Sequence, residues 1–146
     1  MLESWDNMKV AHNFSTYRTM DAACSTPQLV LMLCDGAIRY TREAAEHMHA
    51  NRWSEKGQAV EAALECIGEL RKTLNVGDSS DIVRQLDNTY SFLSTKLTMG
   101  NAQRDISQLH QVAEALQQIR SGWADLFDRL RVEGRLPVGD FAPAAR

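Results

Sequence analysis

Cysteine is too sparse in this chain to build a disulfide framework or a zinc site. There are three, Cys24, Cys34 and Cys66, odd in number and without a CxxC spacing. Reduced thiols are expected, two of them on apolar helix faces where a thiol acts as a small hydrophobe. Glycine is equally thin: eight stand singly, and none belongs to a Gly-rich phosphate loop. Neither sign of charge prevails, with 16 basic against 19 acidic side chains and a net charge of −3. Without a basic stripe, nucleic acid is not an expected partner. Apolar runs are short of the roughly 18 consecutive residues that a membrane span needs. The first residues, MLESWDNMKVAHNF, are acidic early and lack an apolar core, so a secretory signal is not expected and a cytoplasmic location is. No stretch alternates with a period of two, which leaves strands without support.

What is present is helical periodicity. The stretch Thr26–His49 opens on Thr26 as a cap and Pro27 at the first helical position, where a missing N–H is harmless. Leu29, Leu33, Ala37, Tyr40 and Ala44 fall on one line, with Val30 and Met48 at its edge. Leu31, Cys34, Ile38 and Ala45 widen the apolar arc to about 200°, enough to be buried on two sides. A second helix, capped by Ser54, carries Ala59, Ala63, Cys66, Ile67, Leu70 and Leu74 on one stripe and Glu61, Glu65 and Glu69 on the other side. A third starts at Ser79 or Ser80 and groups Ile82, Val83, Leu86, Tyr90, Leu93 and Leu97; Gly100-Asn101 is expected to stop it. A fourth, capped by Asp105 or Ser107, is two-sided from Leu109 to Leu130.

Four helices with short connections imply an all-α fold, an antiparallel up-down four-helix bundle spanning residues 26–132. Residues 1–25 are expected to form an arm with a short cap helix, and residues 133–146, holding two of the three prolines, a disordered tail.

The chemistry that such a bundle can host is mostly missing. A carboxylate-bridged di-metal site needs a Glu-x-x-His from each of two helices. Only Glu46 to His49 has that spacing; three residues before His110 stands Ser107. Cys34 beside Leu33 on an apolar line is an inert setting for a nucleophile. No catalytic, metal or cofactor residue is assigned, and an enzyme is not expected. The positive signal is surplus apolar surface: Leu31, Cys34, Ile38 and Ala45 on the first helix, and Phe92 with Met99, seven residues apart and nearly opposite the core of the third. Surfaces of this kind accept an amphipathic helix from a partner.

Several segments, in order, are similar to the flagellin-specific export chaperones of the FliS family. Ser25-Thr26-Pro27-Gln28-Leu29 followed by Met32-Leu33-Cys34-Asp35-Gly36-Ala37-Ile38 resembles the family signature A-[ST]-P…L…M-L-Y-D-G-A-I. Phe14 and Tyr17 stand where that family has a pair of tyrosines. Leu86, Tyr90, Phe92, Leu93, Leu97 and Asn101 resemble its third helix, and Trp123 a late tryptophan. Cys34 replaces the usual tyrosine and Thr95-Lys96 the paired arginines. The resemblance implies a cytosolic chaperone that holds the C-terminal segment of flagellin until the export gate of the flagellar secretion system takes it. It also implies an N-terminal arm that covers part of the client surface. The expected partner-binding residues are Phe14 and Tyr17 in the arm, Leu31, Cys34 and Ile38 as groove wall, and Phe92 and Met99 as a second contact. A ferritin-like metal-binding bundle and a helical adaptor that dimerises without client are the alternatives.

Overall fold

The computed structural model describes residues 26–74 and 81–135. Four helices make up nearly all of these: α1 (Thr26–His49), α2 (Trp53–Thr73), α3 (Asp81–Gln103) and α4 (Ile106–Val132). α1 packs against α2 and α4, and α3 packs against the same two helices. The result is an antiparallel up-down four-helix bundle. The expected arm, most of the tail, Cys24 and the capping serines Ser79 and Ser80 lie outside the described residues.

The width of the apolar arc on α1 is what places this helix between two neighbours. Leu33, Cys34, Ala37, Tyr40, Ala44 and Ala45 are all 3% exposed or less. Alanines on α1 and on α2 (Ala59, Ala62, Ala63) let these two backbones approach closely, and the pair forms the most extensive helix contact. Leu109, Val112 and Leu116 of α4 and Leu93 and Leu97 of α3 close the core. Thr41, fully buried, is satisfied locally, its hydroxyl donating to the Ala37 carbonyl at 2.7 Å.

Three helix ends use the same device. The N–H groups of Arg52, Asp105 and Arg135 reach back five residues to the carbonyls of His47, Gly100 and Leu130. Those of Asn51, Arg104 and Gly134 bond to Met48, Asn101 and Arg131. Asn51, Arg104 and Gly134 take left-handed φ values of 59°, 54° and 77°. After Arg104 a single residue, Asp105, completes the corner, accepting from the N–H groups of Ser107 and Gln108 as the cap of α4. Asp105→Ala is therefore expected to cost about 1 kcal/mol, read as a lower urea midpoint at unchanged slope.

The structure corrects three sequence expectations. Ser54 does not cap α2: the helix starts at Trp53, and its N-cap residue Arg52 offers no side-chain bond. Gly100 does not stop α3, which runs on to Gln103. A Cβ at Gly100 would lie 2.8 Å from Leu109 Cδ1 and 3.0 Å from Gln108 Cβ, so this glycine serves a close approach to α4. Ile82 is not core but 70% exposed. Asp87 pairs with Arg71 across the α2–α3 contact, which puts Ile82, five residues earlier, past the last residue of α2.

Candidate protein-binding surface

α3 exposes more large apolar side chains than any other described helix: Ile82, Phe92 and Met99, against Met32 of α1, Trp53 of α2 and Val132 of α4. Its buried residues are Tyr90, Leu93, Leu97 and Gly100, a stripe with the helical period. One edge of that stripe meets α4 at Gly100; the other meets α2 through the Arg71–Asp87 pair, 2.8 Å apart. That pair holds the Asp87 carboxyl below its usual range, through its hydrogen bond to Arg71. Phe92 and Met99, one heptad apart, stand well off the stripe and are 61% and 48% exposed. Between them Lys96 lays its ammonium 5.9 Å from the centre of the Phe92 ring. Stepping at 100° per residue puts Lys96 on the side of α3 that borders α4, and Phe92 and Met99 further round on its outer face.

The inward face of α3, opposite these residues, is tied to α4. Tyr90 is 1% exposed, and its hydroxyl accepts a hydrogen bond from Trp123 Nε1 at 2.9 Å, tying α3 to α4. Burial pushes the Tyr90 phenol up to about 12, partly opposed by that bond. Trp123 in turn stacks on Phe127 with ring centres 5.3 Å apart. Along α4, Ala115, Ile119 and Leu126 are half-buried on the side facing α3. These residues lie at spacings of four and seven, a second line beside the main stripe, and that spacing was the available signal for an apolar second wall.

The α1 residues singled out from the sequence sit differently. Leu31, Cys34 and Ile38 are 9%, 0% and 5% exposed and belong to the core cluster. They face inward, while Phe92 and Met99 face out on another helix, so the two sets do not form one continuous exposed patch. Phe14 and Tyr17 lie outside the described residues. Asp35, next to Cys34, is bound by Arg120 of α4 at 2.9 Å on the surface. Glu46, His49 and His110 are exposed.

Cys34 and Cys66 are free and buried, and desolvation drives both thiols up to about 12. In the unfolded chain a thiol ionises near 9.0. The native state therefore keeps protons that the unfolded state gives up between pH 9 and about 12. Stability is complete below pH 9 and falls as pH rises through that window, by up to roughly 1.4 kcal/mol per pH unit for each thiol. Urea midpoints taken from pH 8 to 11 should show this fall, and Cys34→Ala with Cys66→Ala should flatten it. An equally steep fall in the double variant would remove the thiols as its cause.

No helix among the described residues is long and apolar enough to cross a membrane. A family model described as "Flagellar protein FliS" matches residues 10–129. The chain is 32% identical over 102 residues to the flagellar secretion chaperone FliS of Vibrio cholerae, covering 70% of this chain and 75% of that one. It is 28% identical over 96 residues to the flagellar secretion chaperone FliSB of Pseudomonas aeruginosa, covering 66% and 76%. With the FliS chaperone of Escherichia coli it shares 27% over 104 residues, covering 70% and 76%. A four-helix bundle with an outward-facing apolar helix flank, matched over most of its length by this family, is a flagellar secretion chaperone: the chain belongs to the FliS family.

Proposed function

We propose that this chain binds the C-terminal segment of flagellin in the cytoplasm, keeps it from polymerising, and hands it to the export gate of the flagellar secretion apparatus. The observation that carries this reading is the exposure of Phe92 and Met99, two turns apart on the outer face of α3. Large apolar side chains at a two-turn spacing fit the apolar stripe of a partner helix. Occupying that stripe blocks the helix–helix packing by which such segments assemble, and no bond is made or broken. A client that folds as it binds loses chain entropy, so net affinity stays well below the gross burial and release remains accessible. Within this reading, Phe14 and Tyr17 of the arm hold the client's place until it binds.

Calorimetric titration with the C-terminal segment of flagellin, together with sizing of the product, tests the proposal. One client per chain is expected, and a homodimer formed without client should convert to the heterodimer. A homodimer that persists unchanged at saturating segment would favour the self-associating adaptor instead. Deleting residues 1–20 should tighten client binding; a large loss would make the arm part of the site.

A further inference from the structure

We propose that Lys96 is a specificity-determining residue: the outer flank of α3 selects a client helix with a carboxylate midway between two apolar anchors one heptad apart. This rests on the client-binding reading above and adds the chemistry of what is bound. The spacing comes from Phe92 and Met99, both exposed and about 10.5 Å apart along the helix axis. The charge requirement comes from what surrounds Lys96. From Ser91 to Gln103, α3 has no acidic residue. Opposite, from Leu109 to Ala124, α4 has a single acid, Glu114, about 100° round the helix from Ala115 on the facing flank.

Several surface cations have an acid close by, as in Arg39–Glu43, Lys72–Glu69 and Arg120–Asp35, whereas Arg104 lies over an aromatic ring as Lys96 does. Lys96 has no carboxylate partner among the described residues and rests on the face of Phe92. A helix seated across Phe92 and Met99 covers this ammonium and strips water from it. Covering a cation with nothing opposite is costly, a carboxylate opposite compensates, and a second cation is repelled. The site thus rejects the wrong charge as much as it rewards the right one.

Three designed amphipathic peptides test this, alike except for Glu, Gln or Lys midway between two leucines seven residues apart. Each is titrated by fluorescence anisotropy into the whole chain, beside the flagellin C-terminal segment as reference. At low salt the Glu peptide should bind about tenfold or more tighter than the Lys peptide, with Gln between. The gap should narrow as salt is raised. In Lys96→Glu, with its helical circular dichroism intact, the order should invert; in Lys96→Met the difference between the Glu and Lys peptides should collapse, and the Gln peptide should bind at least as tightly as it does to the parent. Equal binding of the Glu and Lys peptides, or an unchanged order in Lys96→Glu, overturns the charge selection. Binding of the flagellin segment but of none of the peptides overturns the heptad spacing. If the segment also fails to bind, the client-binding reading falls with it.

Discussion

Replacing Phe92 and Met99 together by aspartate is expected to weaken binding of the flagellin segment at least about 100-fold while leaving folding stability nearly untouched. Each side chain, if buried by the client, contributes about 1.5–3 kcal/mol. Two of them amount to roughly 3–6 kcal/mol, and each 1.4 kcal/mol is a factor of ten in affinity. Both side chains are about half exposed or more in the free chain, so their loss removes little from the core. Surface changes of this kind usually shift stability by no more than about 0.5 kcal/mol. Calorimetry with the client gives the first quantity and urea unfolding the second. Unchanged affinity in a fully helical double variant would remove this face from the client site.

Two residues away along the same helix, the expected phenotype inverts. Tyr90→Ala should cost about 3–5 kcal/mol of stability, because it empties a fully packed site and strands the Trp123 N–H. Where that variant unfolds, Tyr90→Phe isolates the hydroxyl. It keeps the ring, leaves Trp123 Nε1 without its acceptor, and should cost about 1 kcal/mol. A Tyr90→Phe variant as stable as the parent would mean that the bond between α3 and α4 contributes nothing net. Phe92→Ala on the same scale should be close to neutral in stability, which makes the contrast between the two aromatics a check on which face of α3 is core.

Much of this division was legible in the sequence, and the reasons are specific. Tyr90, Leu93 and Leu97 fall on one arc and Phe92 and Met99 nearly opposite, so the 3.6-residue period alone separates hidden from exposed side chains. Asp105 was legible as a cap because its side chain does the work that its residue type favours. Gly100 misled because glycine serves two ends, a left-handed turn or a close approach, and only the position of Leu109 distinguishes them. The residue that does adopt the left-handed turn is Arg104, a type that gives no sequence signal for it. Its guanidinium lies 4.5 Å over the Trp53 ring, a contact between two corners that only the fold brings together. Ile82 has the right phase to be core but the wrong height, since periodicity says nothing about where a neighbouring helix ends. The breadth of the apolar arc on α1 correctly required two neighbours; it did not say how much of Leu31, Cys34 and Ile38 those neighbours would cover.

The claim on which the rest depends is that the outer flank of α3 is where the client sits. Methyl NMR of Met99 during titration with the flagellin C-terminal segment tests it most directly, since this side chain is 48% exposed in the free chain. The expected result is a large shift of the Met99 methyl resonance that saturates at one segment per chain, with protection from a solvent paramagnetic agent. A Met99 methyl that keeps its free position and its solvent accessibility when the chain is saturated with client would contradict it.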